Sequence, residues 1–418
     1  MSYKQEKYIT VHAYDTPQAD FETDSIDGNG LAILMPTVCT ITEELNGTYE
    51  LYMEHPLDPE GRWKLLEVDN IIKADGQLFR IKSRKTKLSA NGEKVRSVQC
   101  LHIWYDLGGW ETNEYTANYY AALFLIRALE TKIQQYWDED PNWSRWGYFY
   151  KYDFHFGTDC GSTAGEGLYF MHLEPANLVA AAIGTESSFV NIVHKEVDGE
   201  TITPELHRDN FNWNIDWRKR NAVDNAFSIT HKVDMIDIEE IYDTSNYYTH
   251  LFAYDNDGRF MGRCINPYAE QGHVPHTPRI KHVKMQYTVG ETKDDQGQDC
   301  SEQRFEADFF RYYRSITKPR LTLKCNYAEL SDTDLYKDYI EAKHCNVGDS
   351  GTVYCEELGI SQVMKVIRKQ RDLINKNKVE ITFGSKLASI TSPEFMSQTI
   401  NNSKFTNTNY FSIVEDKT

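Results

Sequence analysis

The stretch VDNIIKADGQLFRIK, residues 68–82, constrains the fold more than any other part of the sequence. It contains an Asp-marked start, a short apolar strand, an Asp-Gly turn and a second strand that becomes basic. After a further turn at Asn91-Gly92, Val95–Cys100 supplies another strand. Asp-Gly and Asn-Gly between apolar runs are strong signals for tight antiparallel turns. The stretch therefore predicts an antiparallel sheet.

The same pattern recurs near the other end of the chain. VGDSGTV at 347–353 supplies the Asp-marked start, Ile360–Gln370 the strand that becomes basic, and Val379–Phe383 the strand after a turn at Asn375-Lys376-Asn377. A repeated pattern of this kind is what duplication of a structural unit leaves in a sequence. We therefore predict two related antiparallel β-barrel domains.

The first 112 residues read as short strands separated by turns. The clearest hairpin joins Val38–Leu45 to Thr48–Met53 across Asn46-Gly47. About six strands in this length are typical of a small barrel or sandwich.

Two helices are predicted in the middle of the chain. From Tyr115 to Trp137 apolar residues recur four apart, which indicates an amphipathic helix. Pro175–Val193 is a second candidate, because Pro175 suits an early helical position and the apolar residues that follow share a face. A shorter helical piece is expected around Phe305–Tyr313.

The predicted fold class is α+β, mainly β, with a helix-containing middle region and discontinuous domains. The chain is too long for one hydrophobic core, so it should divide. The predicted parts are a first β-barrel domain at 1–112, a middle α/β insertion domain at 113–200 plus 261–318, a second β-barrel domain at 201–260 plus 319–385, and a C-terminal tail or connector at 386–418.

Composition narrows the function classes. The 418 residues carry a formal net charge of -18, which disfavours tight nucleic-acid binding because phosphate neutralisation needs clustered Lys and Arg. Acidity suits a protein that lets DNA pass without holding it, or serves solubility alone. The 8 cysteines are scattered and are expected to be free thiols. No signal peptide is recognised, and the apolar run Ala121–Ile126 is too short to span a bilayer.

Residues for covalent chemistry are sparse. The sequence contains no phosphate loop, dinucleotide fingerprint or hydrolase motif. Cys160 with His155 or His172 is the one local pair suited to nucleophilic catalysis, although a structural cysteine is the simpler interpretation. We predict no catalytic residue and no cofactor.

Two groups of metal-binding residue types occur in loops: Cys264, His273, His276 and His282 in one, and Asp294, Asp295 and Asp299 around Gly297 in the other. The first has no spacing of a closed zinc site, and the second lacks the terminal Glu of a calcium loop. No metal site is predicted.

Two surface features have alternative interpretations. The aromatic residues in Trp143–Tyr152 could line a sugar-binding surface, but such residues are more often in a core or a subunit interface. The basic strip Lys82–Lys87 is most simply the solvated face of one strand.

Short phrases along the chain resemble a known family, the siphophage tail-associated proteins, also described as phage minor structural proteins or prophage endopeptidase tail proteins. The phrases are Glu44–Leu51, His55–Asp58, Phe79–Ile81, His102–Leu107, Ser187–Phe189, Asp243–Thr249, Val347–Asp349 and Glu357–Ile360. They occur in order along nearly the whole chain and coincide with the boundaries of predicted elements.

The resemblance implies a structural tail-tip protein similar to the baseplate hub of contractile-tailed phages. Such a hub is a homotrimer in which two related barrels per subunit form a pseudo-sixfold ring. The implied partners are further copies of itself, the distal tail protein and tail tube ring, the C-terminus of the tape measure protein, and receptor-binding or tail fibre proteins. DNA is contacted only in transit and no stable membrane association is expected. The implied location is the distal end of the virion tail, after assembly in the host cytoplasm.

Two other functions stay open at this point. Longer relatives continue into a peptidoglycan hydrolase or a receptor-binding extension, whereas this sequence stops at Thr418, so we do not transfer the endopeptidase activity. A tail-associated peptidoglycan hydrolase acting through Cys160 is one alternative. A host-carbohydrate-binding adhesin that uses Trp143–Tyr152 is the other.

Overall fold

The computed structural model describes residues 8–16, 21, 30–88, 92, 94–109, 111–112, 115–120, 155–158, 169–173, 176–177, 179, 190–191, 205–208, 214–218, 223–224, 226–233, 235–245, 247–265, 278–293, 297–305, 308–309, 320–327, 345–375 and 379–384. None of the helices within these ranges has the length and apolar character needed to cross a membrane.

The described elements are almost all strands. The first seven are β1 (Ile9–His12), β2 (Ala32–Leu34), β3 (Val38–Glu44), β4 (Tyr49–Pro56), β5 (Ile71–Ala74), β6 (Gln77–Leu88) and β7 (Lys94–His102). The next eight are β8 (Glu111–Thr112), β9 (Tyr115–Tyr120), β10 (His155–Thr158), β11 (Tyr169–Leu173), β12 (Ala176–Asn177), β13 (Val190–Asn191), β14 (Glu205–His207) and β15 (Asn214–Arg218). The last nine are β16 (Phe227–Thr230), β17 (Met235–Asp243), β18 (His250–Tyr254), β19 (Phe260–Ile265), β20 (Ile280–Lys284), β21 (Arg320–Tyr327), β22 (Ser350–Cys355), β23 (Ile360–Asp372) and β24 (Val379–Gly384). Short 3₁₀ helices occupy Arg62–Leu65 and Ile103–Gly109.

One sheet of 13 strands dominates the fold. Its order is β17-β21-β24-β23-β3-β4-β7-β6-β5-β1-β2, with β22 attached to β23 and β16 to β22. We call β1 with β3 to β7 the N-module, and β16 and β17 with β21 to β24 the C-module. The predicted mainly-β fold is confirmed.

The two modules have the same strand order. Across the N-module the order is β3-β4-β7-β6-β5-β1, and across the C-module it is β17-β21-β24-β23-β22-β16. If the six strands of each module are numbered in sequence order, both modules have the spatial order second, third, sixth, fifth, fourth, first. A shared order of six strands is what the repeated sequence pattern predicts for a duplicated unit.

The modules also share two local irregularities. Each has a positive φ just before its fourth strand, at Asp69 (φ 72) and at Gly348 (φ 94). The Asp69 N–H donates to the Ile81 carbonyl at 2.9 Å, and the Gly348 N–H donates to the Val366 carbonyl at 2.8 Å. The register then shifts immediately after Ile81 and Val366, so both fifth strands contain a bulge at the same place. These bonds make Ile81 and Val366 equivalent positions.

The modules differ in their first strand. β1 runs antiparallel to β5, whereas β16 runs parallel to β22. Gly351 pairs with Met364, and Ile72 pairs with Phe79. Met364 and Phe79 each lie two residues before the equivalent positions Val366 and Ile81, so Gly351 occupies in the C-module the position that Ile72 has in the N-module. A Cβ atom on Gly351 would lie 2.3 Å from the Phe227 carbonyl oxygen. Glycine therefore permits β16 to approach β22 this closely.

Each module has its own hydrophobic core. The N-module core includes Ile41, Leu51, Phe79 and Cys100. The C-module core includes Phe227, Leu323, Val353, Ile381 and Phe383. In β4 every second residue is buried, so the period-two pattern of the sequence places one face on the core. The Asp75-Gly76 turn between β5 and β6 has positive φ at both residues (53 and 70), as a tight primed turn requires.

Smaller sheets account for the other strands. They have the orders β10-β15-β14, β13-β11-β9, β12-β8 and β19-β18-β20. In the two-stranded sheet, β12 lies antiparallel to β8. The sheet β19-β18-β20 has a small core that includes Leu251, Val283 and Tyr287.

The first helix prediction is wrong at the residues that the structure describes, and the second is wrong at the strand residues within it. β9 shows that the segment starting at Tyr115 begins as a strand, and it pairs antiparallel with β11. The second predicted helix contains β12 and β13, and Val179 is its one described helical residue. Aromatic and β-branched residues such as Tyr115, Thr116 and Val190 favour a pleated sheet, and long-range pairing outweighs a local four-residue spacing. Residues 121–150 lie outside the described residues. Near the third prediction, 301–305 and 308–309 are helical.

Barrel closure and the domain division stay predictions. Among the described strands, the sheet ends at β2, at β17 and, on its side branch, at β16, and neither module closes on itself. The strands of the proposed second barrel at 201–260 are distributed over three sheets: β14 and β15 lie beside β10, β18 lies beside β19 and β20, and β16 and β17 belong to the C-module.

Candidate assembly site: the seam and two exposed edges

The N-module and the C-module are joined by direct strand pairing, which we call the seam. β23 pairs antiparallel with β3, from Arg368 opposite Glu44 to Asp372 opposite Thr40. Backbone hydrogen bonds extend it at both ends: the Leu45 N–H donates to the Ile367 carbonyl at 2.9 Å, and the Leu373 N–H donates to the Cys39 carbonyl at 2.8 Å. The seam therefore makes one continuous sheet of two modules.

The bulge in β23 determines where the seam begins. On one edge, β23 pairs with β22 as far as Lys365 and with β3 from Arg368 onward. The register shift between Val366 and Arg368 separates the two partners. A bulge bends and twists a strand locally, which allows two different strands to share one edge.

Complementary charge accompanies the backbone pairing at the seam. Arg368 Nε lies 3.3 Å from Glu44 Oε1, and its Nη1 lies 2.7 Å from Glu380 Oε1. Arg371 pairs with Asp75 of the β5–β6 turn. The basic end of β23 therefore faces acidic side chains of the N-module.

Arg208, at the end of β14, holds the β3–β4 turn from the side. Its side chain is only 3% exposed, and it donates to the Glu44 carbonyl at 2.7 Å and to the Gly47 carbonyl at 2.5 Å. The guanidinium carbon lies 5.1 Å from the centroid of the Tyr49 ring. Arg208 thus connects the β10-β15-β14 sheet to the hairpin that forms the seam. No spacing or motif in the sequence indicates this role.

Burial beside Arg208 shifts the pKa values of two neighbouring side chains, His102 and Tyr105. His102 stacks on Tyr49 with ring centroids 4.6 Å apart. Burial, followed by the positive charge of Arg208, lowers the pKa of His102 to about 3. Burial also raises the pKa of Tyr105, whose hydroxyl donates to the Gly47 carbonyl at 2.5 Å. His102 is therefore neutral at physiological pH.

Two of the strand edges that lie beside no described strand carry opposite charge. β17 pairs with β21 on one side only. β6 pairs with β5 through Gln77–Arg80, and no described strand continues along that edge beside Ser83–Leu88. Glu239, Glu240, Ile241 and Tyr242 of β17 are exposed, and so is the part of β6 from Arg84 to Leu88. One exposed edge is therefore acidic with apolar residues, and the other is basic.

The predicted basic strip belongs to the second of these edges. Lys82 is tied to Asp106 at 3.1 Å, and Arg84 Nε lies 3.0 Å from Glu67 Oε2. Lys85 and Lys87 are exposed. The strip thus lies on the outer half of β6, after the bulge.

The predicted nucleophilic pair is not assembled by the described residues. His155 lies in β10 and His172 in β11, which belong to different sheets. Cys160 lies outside the described residues. The prediction that this group is not catalytic stays a prediction.

The first metal-loop candidate is divided between strands. Cys264 lies in β19 and His282 in β20, with β18 between them. The His282 ring stacks against Phe252 and Tyr254 at centroid distances of 5.3 and 5.7 Å. His273 and His276 lie outside the described residues.

The second metal-loop candidate contains one described carboxylate. Asp299 Oδ1 accepts hydrogen bonds from the Ser301 backbone N–H at 3.0 Å and from the Ser301 hydroxyl at 2.6 Å. These bonds lower the pKa of Asp299. Asp294 and Asp295, like the aromatic segment Trp143–Tyr152, lie outside the described residues.

A different group of metal-binding residue types meets within the described part of the C-module. The ligand atoms of His231, Cys355 and Glu357 all lie within 4.8 Å of one another. His231 Nδ1 is 3.1 Å from one Glu357 oxygen, and Lys232 contacts the other. The hydrogen bond from Lys232 is the main cause that lowers the pKa of Glu357 to about 2. The group is an ion-pair cluster that ties the end of β16 to the β22–β23 turn, and the sequence did not predict it.

Six of the 8 cysteines lie among the residues whose side chains the structure describes. Cys39, Cys100, Cys300, Cys325, Cys345 and Cys355 are buried and form no disulfide. Burial raises the pKa of Cys39 and of Cys325 to about 12. The prediction of free thiols is confirmed for these six.

Family comparisons match both modules. The family model for the prophage endopeptidase tail N-terminal domain matches residues 23–102, and the model for the prophage endopeptidase tail matches residues 223–394. The first range contains most of the N-module, and the second contains all of the C-module. No curated protein matches the sequence.

Three solved structures are similar in fold over nearly their whole length. Prophage tail protein gp18 from Listeria monocytogenes EGD-e has a TM-score of 0.55 at 13% identity, with 94% of this chain and 99% of that chain covered. The tail protein from Neisseria meningitidis MC58 has a TM-score of 0.53 at 9% identity, with 91% and 98% covered. The 43 kDa tail protein of prophage MuSo2 from Shewanella oneidensis has a TM-score of 0.51 at 9% identity, with 93% and 100% covered.

Proposed function

Because the chain belongs to the prophage endopeptidase tail family, we propose that it is a structural hub of the phage tail tip. In this proposal three copies form a closed ring in which N-modules and C-modules alternate, so that six similar units surround one channel. The ring joins the sixfold tail tube to a threefold tip and lines the path of DNA ejection.

The observation that carries the proposal is the pairing of two modules with the same strand order in one sheet. A ring of identical neighbours needs one contact repeated around an axis. Two like modules per chain supply such a repeat inside each subunit, so three chains present six units. The similarity to solved tail proteins supports the fold of this unit.

The net charge supports a passage for DNA. The chain carries a formal net charge of -18, and a surface of the same sign as the DNA backbone avoids phosphate binding that would retard transit. The proposed partners are the distal tail protein and tail tube ring, the C-terminus of the tape measure protein, and receptor-binding or tail fibre proteins. They follow from the proposed position at the distal end of the virion tail.

The proposal assigns a non-enzymatic role. Its support is that the two matched segments contain most of the N-module and all of the C-module, whose described strands form cores and a seam. We therefore expect no peptidoglycan clearing by the full chain in a zymogram on host cell walls. Clearing that disappears in a Cys160→Ala variant would favour the hydrolase instead.

The mass of the purified full chain in solution tests the ring. Three copies of the 48.6 kDa chain (3 × 48.6) give a particle of about 146 kDa, which multi-angle light scattering resolves from smaller species. A constant monomer mass over micromolar concentrations would contradict the proposal.

A further inference from the structure

We propose that β17 of one copy pairs antiparallel with Ser83–Leu88 of β6 in the next copy, and thereby repeats the seam between chains. The inference rests on the proposed ring and specifies the contact that closes it. The proposed contact follows from the equivalent strand positions of the N-module and the C-module.

The acceptor strands correspond through their hydrogen bonds. The Ile81 N–H donates to the Asn70 carbonyl at 2.9 Å, and the Val366 N–H donates to the Asp349 carbonyl at 2.8 Å. Both bulges follow at once. In the C-module, the strand beyond the bulge accepts β3. In the N-module, the equivalent part of β6 is exposed and accepts no described strand.

The donor strands correspond through the shared register. Ile41 lies opposite Leu51, which lies opposite Cys100, and Cys100 pairs with Ile81. In the C-module, Glu240 lies opposite Leu323, which lies opposite Phe383, and Phe383 pairs with Val366. β17 therefore occupies the place of β3.

These equivalences fix the register between chains. At the seam, Arg371 lies opposite Ile41. Thr86 corresponds to Arg371, and Glu240 corresponds to Ile41, so Thr86 should lie opposite Glu240. The resulting cross-strand pairs are Ser83 with Asp243, Arg84 with Tyr242, Lys85 with Ile241, Lys87 with Glu239, and Leu88 with Ile238.

The chemistry of the two edges is complementary in this register. Arg84, Lys85 and Lys87 face a strand that carries Glu239, Glu240 and Asp243. Opposite charges across neighbouring strands stabilise pairing, and the same polarity exists at the seam, where Arg368 meets Glu44. Pairing would also cover exposed apolar residues: Leu88 is 70% exposed and Tyr242 60%.

The contact is directional, which suits a ring. Each copy offers β17 to one neighbour and the outer half of β6 to the other, so the interface is heterologous. Pairing of both edges leaves no exposed strand at these two positions, which otherwise invite uncontrolled association. Because this contact would repeat the seam, we expect a second copy of this chain to bind at both edges.

A designed disulfide tests the register. In an antiparallel pair the hydrogen-bonded and non-hydrogen-bonded positions alternate, and the bonds at Leu45–Ile367 and Cys39–Leu373 make Thr42–Gln370 a non-hydrogen-bonded pair. Its counterpart between chains is Ile241–Lys85, with a Cα separation of about 4.5 Å, within the reach of a disulfide. We therefore expect the Lys85→Cys, Ile241→Cys double variant to form covalent oligomers up to three chains on mild oxidation.

The matched control is the Lys85→Cys, Tyr242→Cys double variant. A shift of one residue places the second side chain on the opposite face of the sheet, so cross-linking should fall at least to the level of the single variants. Equal cross-linking of the two double variants would contradict the register.

A charge exchange provides a second measurement without cysteines. Reversal of one edge by Glu239→Lys and Glu240→Lys should weaken association by roughly tenfold or more, because like charges then face each other. Adding Lys85→Glu and Lys87→Glu to the same chain should restore it. Failure of the restored chain to recover would oppose the pairing.

The two proposals fail in different ways. A particle of three copies whose Lys85→Cys, Ile241→Cys variant does not cross-link overturns the β17–β6 pairing and leaves the hub standing. Absence of any oligomer in the wild-type chain contradicts the ring itself.

Discussion

The N-module and the C-module share one framework but differ at the corresponding edge. In the N-module, Cys39 and Ile41 of β3 are fully buried and β3 lies against β23. At the matching positions of the C-module, β17 carries Ile238 and Glu240, and Glu240 is exposed. Core residues and backbone bonds therefore preserve the framework, while the composition of an edge follows what lies beside it.

The modules differ again at the opposite side of each sheet. Ile72 fills its position in the N-module, whereas Gly351 in the C-module leaves space for Phe227 of the parallel strand β16. Phe227 in turn lies 5.5 Å from the Phe383 ring, measured between centroids. One core position is thus filled by its own strand in the first module and by a neighbouring strand in the second.

The change Gly351→Ala should have the largest effect on stability. The added Cβ would meet the Phe227 carbonyl oxygen at 2.3 Å, which forces β16 away from β22. We expect a loss of about 3 kcal/mol in the free energy of unfolding, measured with urea. Gly76→Ala is the control, because its Cβ meets nothing within 4 Å and only the positive φ opposes it, at about 1–2 kcal/mol. A smaller effect at Gly351 than at Gly76 would refute this account of the difference between modules.

Arg208→Ala should destabilise the N-module side of the seam by about 2 kcal/mol. The substitution removes the charged donors from two partly buried carbonyl groups. Arg208→Lys should recover part of the loss, since the ammonium keeps the charge but lacks the planar fork of two nitrogens with which Arg208 reaches both carbonyls. Urea unfolding followed by tryptophan fluorescence measures the series. An unchanged midpoint in Arg208→Ala would show that the β3–β4 turn does not depend on this side chain.

His102 should make stability depend on pH. Its pKa is about 3 in the folded chain, so the unfolded chain takes up a proton below the ordinary value of 6.5 while the folded chain does not. The stabilisation is present above pH 6.5 and is lost as the pH falls toward 3. Between pH 6 and 5 the wild-type chain should lose up to about 1.4 kcal/mol per pH unit more than His102→Gln. Parallel slopes for the two chains would remove His102 as the cause.

Arg368→Ala should have the smallest effect, about 1 kcal/mol. Its ion pair to Glu44 joins the two modules and its ion pair to Glu380 lies within the C-module, but the side chain is partly exposed and solvent weakens each pair. Lys85→Ala is the matched control on β6, and we expect it to change monomer stability by less than about 0.5 kcal/mol while it weakens assembly. The same loss of monomer stability in both variants would contradict the distinction between the paired seam and the exposed edge.

The sequence predicts the strands far better than the middle region. Turns such as Asp75-Gly76 and the alternation in β4 depend on neighbouring residues, so local patterns suffice for them. The four-residue spacing after Tyr115 predicts a helix, yet β9 forms because β11 pairs with it from far along the chain. The repeat between 68–100 and 347–383 was recognised by pattern, and the strand order extends it to six strands in each module.

The candidate site was less accessible to sequence reasoning. The strip Lys82–Lys87 was recognised as basic, but its meaning depends on the bulge after Ile81 and on the equivalence with β23. Arg208 gave no local signal, because its partners Glu44 and Gly47 lie more than 150 positions away. A seam is a long-range pairing, and neither composition nor periodicity specifies which strand lies beside which.

The number of modules around the axis of the assembled particle tests the central claim most directly. Electron microscopy of the purified full chain, with class averages viewed along the channel, provides this count. The account predicts threefold particles whose wall consists of six similar units around one opening. Averages that show separate two-unit subunits, or a wall without threefold symmetry, would contradict it.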